Sequence, residues 1–183
     1  MANVNAPFGF RPTMRTTSGA AGAIQAVNKL VGYGTALFIN DAVTHAASSL
    51  LATPAVDANI TAGSTPVAGV NLIYGAASTA TNHTIVLADS GAIFVVQGDG
   101  SSGGASPLNA AAMSMNANLV KTAGNTGTKI SEHELAESTL ATTNTLDLKV
   151  RGLWQSADNA LGQYARVYVT FNNLVGADQK AGI

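Results

Sequence analysis

Two period-two runs near the C-terminus constrain this chain more than anything else in it. Within residues 145–173, Leu146, Leu148 and Val150 alternate with Asp147, Lys149 and Arg151. After a turn region rich in Asp, Asn and Gly, Ala165, Val167, Val169 and Phe171 alternate with Arg166, Tyr168, Thr170 and Asn172. Alternation at every second residue puts apolar side chains on one face of a strand and polar ones on the other. Two such runs joined by a turn read as an antiparallel β pair with one buried face. Its polar face, with Lys149, Arg151, Arg166 and Tyr168, is where a neighbouring molecule is expected if the body itself contributes to a contact.

The rest of the chain is punctuated into short segments. Strand patterns recur at 34–40, 67–74, 83–88 and 92–97, and Gly69 marks a bulge or a close backbone approach. The last two, separated by Asp89-Ser90-Gly91, read as a hairpin. Residues 113–119 alternate and read as extended. Residues 21–29 admit a short helix, and 43–51 fits either strand or helix. Ser131 followed by Glu134 resembles a capping box, so one or two helical turns are expected over 131–140. Many short strands between Gly, Asn, Pro and Thr turns, with no internal repeat, give an all-β fold of the sandwich or barrel kind.

A length of 183 residues fits one domain. Its expected parts are an extended N-terminal arm over 1–20, a β-rich body over 21–175 and a short tail over 176–183. Pro7, Gly9 and Pro12 surround Phe8 and Phe10, which keeps the arm out of helix. The Gly- and Ser-rich stretch 98–107 reads as a flexible excursion.

Charged residues make up 10% of the chain, against about 25% in an average domain. A surface of hydroxyls and amides with a net charge of −1 suits a subunit covered by neighbours in an assembly. The cations form no run interleaved with aromatics, so no nucleic-acid partner is expected. No apolar run reaches the ~18–20 residues of a membrane span, and the opening lacks the features of a signal peptide, so synthesis in a cytoplasm is expected. The absence of cysteine excludes disulfides and thiolate chemistry.

Catalytic patterns are missing. His133 lies between Glu132 and Glu134 with Glu137 four residues on, which in a helix gives at most a weak cation site and otherwise a solvent-facing turn. A zinc-protease motif needs a histidine at 137. The Gly pairs at 32–34 and 98–100 lack a third glycine. Asp99, Asp158 and Asn159 lack the spacing of a calcium loop, and Asp158-Asn159 reads as an Asx turn capping the β pair. His45 and His83 lie far apart, and no base is held near a serine or threonine. No enzymatic activity, cofactor, metal or small-molecule substrate is expected. Trp154, the only tryptophan, is either a core or rim aromatic or an interface anchor.

The opening Met-Ala-Asn-Val-Asn-Ala-Pro-Phe-Gly-Phe-Arg-Pro resembles the start of tailed-phage virion proteins described as structural, decoration or capsid cement proteins. The stretches from Ala92 (Ala-Ile-Phe-Val-Val-Gln) and from Asp147 (Asp-Leu-Lys-Val-Arg-Gly-Leu), Asp158-Asn159 and the final Val-Tyr-Val-Thr-Phe-Asn-Asn are similar to further landmarks of that group. Together these motifs span about half of the chain. The resemblance implies a β-sandwich or jelly-roll-like domain with an extended N-terminal arm. It also implies a homotrimer on the outer surface of an icosahedral head, made in the host cytoplasm, with the major capsid protein as partner. Phe8, Phe10, Arg11 and Pro12 of the arm, with Arg15 as a further cation and Trp154 of the body, form the expected interface. On that view the body folds without residues 1–18. A tail, neck or fibre-associated virion protein shares the low charge and β content. A carbohydrate-binding or adhesion β-sandwich is the alternative from another class, and a major shell subunit is disfavoured by the short chain.

Overall fold

A computed structural model describes residues 3–16, 23–29, 33–46, 55–79, 81–89, 91–101, 108–175 and 182. Among these, the regular structure is strand apart from single 3-10 turns at Ala110–Ala112 and Glu137–Thr139. The strands in order are β1 (Arg11–Thr16), β2 (Ile24–Lys29), β3 (Ala42–His45), β4 (Ala55–Asp57), β5 (Gly69–Asn71) and β6 (Asn82–Leu87). They continue as β7 (Ala92–Gln97), β8 (Asn116–Ala117), β9 (Leu119–Val120), β10 (Glu134–Leu135), β11 (Leu148–Leu153) and β12 (Arg166–Phe171). The fold is all-β.

The alternating C-terminal runs form the expected antiparallel pair. Leu148 lies opposite Phe171 and Val150 opposite Val169, and a register shift between Val150 and Gly152 accommodates Arg151. This pair sits inside a five-stranded sheet ordered β1-β7-β12-β11-β8. A second unit, β2-β4-β3-β5-β6, closes into a small barrel in which β2 and β4 run parallel and the other neighbours antiparallel. A two-stranded ribbon of β9 and β10 completes the fold.

Alternation along β6 explains why barrel and sheet hold together. Ile85 points into the barrel with Val27, Leu37, Val43 and Val56. Its neighbour Val86 points outward, with Val70 and Ala42, into a core shared with Phe94, Val96, Val167, Val169 and Phe171 of the sheet. Gly69 is the expected close approach, because a Cβ there would lie 2.5 Å from the Val86 carbonyl oxygen.

The expected hairpin of 83–88 with 92–97 does not form. Both strands exist, but β6 belongs to the barrel and β7 to the open sheet. Asp89 Oδ1 accepts from the amides of Gly91 and Ala92, so the tight turn makes a corner between sheets rather than a hairpin. Residues 24–29 form a strand instead of a helix, and of the ambiguous 43–51 the first three residues lie in the strand Ala42–His45, while 21–22 and 47–51 are outside the described residues. In 34–40 only Leu37 and Ile39 make isolated bridges. Residues 131–140 form β10 and a 3-10 turn, because no helical stripe follows Ser131, whose Oγ accepts from the His133 amide instead. Most of the 98–107 excursion and of the 176–183 tail lies outside the described residues.

The arm is the larger correction. Residues 11–16 are an edge strand paired with β7, and Phe10 is 0% exposed. Its ring lies 5.0 Å from that of Phe171, which in turn lies 5.1 Å from Phe94. Phe10 therefore fills the chain's own core and leaves no surface for a neighbour. Pro12 sits opposite Phe94 on an edge strand, where its missing N–H costs least. Deleting residues 1–18 is accordingly expected to abolish cooperative unfolding of the body. Phe10→Ala alone should cost about 3–5 kcal/mol in urea denaturation, as large aromatic-to-alanine changes in cores do.

Candidate functional site

The segment before β1 runs back over the body and is tied there by amide side chains. Asn3 Nδ2 donates to the carbonyls of Ala160 and Gln163, both at 2.9 Å, and its Oδ1 accepts from the Ala160 amide. Gln97 ends β7 and is buried. Its Nε2 donates to the carbonyls of Val4 (2.6 Å) and Tyr164 (3.0 Å), while Oε1 accepts from the Ala6 amide (3.0 Å). Asn40 clasps the next stretch, donating to the Phe8 carbonyl and accepting from the Phe10 amide. Tyr164 adopts φ 57°, a conformation that costs a bulky residue about 1–2 kcal/mol. It is held there by Gln97 and by its ring's contact with Gly100, where a Cβ would collide with it.

Once tied, the segment forms one wall of a pocket of about 240 Å³ lined by Val4, Phe8, Arg11, Trp154, Asp158 and Arg166, with Gln97 beside them. Arg11 lies over the Phe8 ring at 4.7 Å, and Arg166 lies over Trp154 at 4.7 Å. Arg166 Nη2 also contacts Asp158 Oδ1 at 2.8 Å. Asp158 is held below the usual carboxylate range by hydrogen bonds from Ser156 and Arg166. Asn159 positions both Trp154 and Arg166. Its Oδ1 accepts from the Arg166 amide and its Nδ2 donates to the carbonyls of Trp154 and Arg166. It thus caps the β pair as expected, but by reaching across the loop rather than through an Asx turn, whose oxygen accepts from the amide two residues on.

The pocket opens on the outer face of the five-stranded sheet. Arg11 pairs with Val95, which pairs with Tyr168, and Gln97 pairs with Arg166, all on the side away from the core. Lys149 lies opposite Thr170, whose hydroxyl accepts from Arg151 Nε at 3.0 Å. The strands of this sheet hold Arg11, Arg15, Lys149, Arg151 and Arg166, and their sequences contain no aspartate or glutamate. A mildly acidic chain thus carries a cationic sheet.

Of the residues expected at an interface, Phe8, Arg11 and Trp154 come together here. Phe10 and Pro12 turn toward the core. Arg15 lies in β1, with its side chain outside what is described. Gln97 went unnoticed in the sequence. Its signal was a polar residue closing the apolar run Ala-Ile-Phe-Val-Val, where a satisfied buried amide marks a strand end that receives other backbone.

The acidic stretch 132–137 is neither a solvent-facing helical turn nor a cation site, because its extended backbone separates His133 from Glu137. His133 is buried under Phe10, accepts from the Ala42 amide at Nδ1, and lies 3.5 Å from Asp41 through Nε2. Burial, reinforced by Lys121, pushes His133 down to about 4, while burial pushes Asp41 up to about 6. Glu137 accepts from the amides of Gly100 and Leu108. Asp147, expected on the polar face, is buried and accepts from the amides of Gly63 and Leu119. Among the described residues, no group of three His, Asp or Glu side chains is placed to hold a metal ion.

Comparison of the chain with protein-family models, with curated proteins and with solved structures returned no match.

Two outcomes follow. Gln97→Ala leaves backbone groups of Val4, Ala6 and Tyr164 without partners, so stability should fall by about 1–3 kcal/mol. Protease cleavage within residues 3–10 should accelerate, and the emission of Trp154, the sole tryptophan, should change. Burial, with Asp99, Glu132 and Glu137 nearby, pushes Glu134 up to about 7. Its folded pKa exceeds the unfolded one, so stability is full below about 4.5 and declines as pH rises through 7. Glu134→Gln should raise the melting temperature at pH 8 and leave it unchanged near pH 4. The gain should be about 1 kcal/mol, roughly 2–4 °C, once solvent screening of a half-exposed group is allowed for.

Proposed function

We propose that this protein is a structural virion component that binds the outside of an icosahedral phage head and bridges major capsid subunits. One observation carries the reading. The segment that resembles the family arm and the polar face of β11 and β12 converge on one cationic, aromatic surface. Charge concentrated on one sheet favours a partner surface rich in carboxylates, through complementarity that steers docking and fixes its register. Trp, Tyr and Arg together are also the residue types enriched at binding hot spots.

In this proposal the arm differs from a free tether. It is folded onto its own body and contributes Phe8 and Arg11 to a preformed surface, so little ordering entropy is lost on docking. A homotrimer would present three such surfaces, and modest single contacts would multiply through effective concentration. The sandwich or jelly-roll-like description belongs to the same proposal. In its favour, the open sheet faces the β5–β6 wall of the barrel across one core. The low overall charge fits a protein largely covered in its assembly.

The test is co-sedimentation with heads that lack the protein. Lys149→Glu with Arg151→Glu should cut occupancy at least about tenfold, roughly 1.4 kcal/mol, while circular dichroism stays native. The wild-type protein should lose occupancy steadily with added salt. Unchanged occupancy of the charge-reversed variant would overturn the reading.

A further inference from the structure

We infer that the pocket between Arg11 and Arg166 captures a single aspartate or glutamate side chain from an acidic segment of the partner protein. The inference deepens the docking reading above and rests on it.

The polar inventory of the pocket selects the ligand. Both Nε2 protons of Gln97 are consumed by the Val4 and Tyr164 carbonyls. Asp158 Oδ1 is taken by Arg166 and by the Ser156 hydroxyl. What remains to meet a ligand is mostly donors, the guanidinium groups and the Trp154 indole N–H, set against one further acceptor, Asp158 Oδ2. Arg11 stacks on Phe8 and has no carboxylate partner among the described residues. A ring on one side of the guanidinium fixes its plane, and a planar fork matches a carboxylate with two parallel hydrogen bonds. Val4 stands 74% exposed at the rim and supplies an apolar contact for the flanking residues. A volume of about 240 Å³ well exceeds the ≈30 Å³ of one water.

Other occupants fit less well. One face of Trp154 is covered by Arg166, which removes a stacking platform for a sugar ring. A phosphate dianion would meet Asp158 in the wall with about twice the charge of a carboxylate, so the repulsion that a carboxylate also feels there is larger for it. Asp158 acts as an internal competitor, since it holds Arg166 in the way an incoming carboxylate would.

The test measures anisotropy of fluorescein-labelled hexaglutamate at low salt, with hexaglutamine and a short single-stranded DNA as comparison probes. Hexaglutamate should bind the wild-type protein, and hexaglutamine should not. Arg11→Ala should weaken binding about tenfold or more, because the charge-assisted pair is lost. Arg11→Lys should lose part of this, because it keeps the charge without the fork. Asp158→Asn should tighten binding several-fold. Lys129→Ala, which removes a distant cation stacked on Tyr74, should change nothing. Thermal melts confirm that each variant is folded. Absent binding of hexaglutamate, equal losses for Arg11→Ala and Lys129→Ala, or tighter binding of the DNA would each overturn the proposal. If head occupancy falls on charge reversal at Lys149 and Arg151 but not with Arg11→Ala, the pocket inference fails alone. If neither affects occupancy, the docking reading fails as well.

Discussion

The contact of Phe10 with Phe171, and of Phe171 with Phe94, is the interaction on which the rest of the structure depends. It brings an N-terminal residue, the central strand β7 and the C-terminal strand β12 into one packing unit between sheet and barrel. Burying one such ring stabilises by about 1.5–3 kcal/mol, while ordering backbone costs about 1–2 kcal/mol per residue. Phe10 alone does not immobilise the segment before it. The edge pairing of β1 and the amide clasps of Gln97, Asn3 and Asn40 make up the difference, with nearly every clasp directed at backbone groups. A residue that resembles part of a gripping arm is thus the anchor that decides where that arm can go.

From this anchor the outer face follows. Phe10 enters the core, so Arg11, one residue on, must point to the opposite side of the sheet, and Phe8 is left beside it. The bulge at Arg151 and the Asn159 plug set the far wall, bringing Trp154 and Arg166 up to the same level. The pocket is therefore preformed by backbone constraints at both ends of the sheet. The cationic character is a matter of placement: the same few lysines and arginines spread evenly would give no face at all.

The fold was legible in the sequence where strands are half-buried and alternate. Leu148, Val150, Val167, Val169 and Phe171 announce the β11–β12 pair because large apolar residues mark each inward position. The barrel was not legible. Three of its strands, β3, β4 and β5, have only three or four residues, and it closes through the parallel β2–β4 pairing, which has no local sequence signature. Asp89-Ser90-Gly91 misled because the same turn chemistry serves a hairpin and a corner, and only the partners of β6 and β7 decide between them. Ser131 and Glu134 matched a capping pattern of four residues, yet tertiary contacts at His133 and Glu137 overrode it. Asp147 alternated as a surface residue and is buried, since two amides from distant segments converge on it. At the candidate site, Phe8 and Arg11 were legible through the resemblance of the arm, while Trp154 stood open between a core or rim role and an interface one. Gln97 was not legible, because a buried amide acquires meaning only from the backbone brought to it.

In the proposed function the outer face of the five-stranded sheet, and not the barrel, is the docking face. A reconstruction of heads carrying the bound protein tests it most directly. The account predicts β1, β7, β12 and β11 facing the shell, with Arg11 and Arg166 within hydrogen-bonding distance of capsid carboxylates. A bound protein that turns its barrel to the shell and leaves Trp154 and Arg166 in solvent would contradict it.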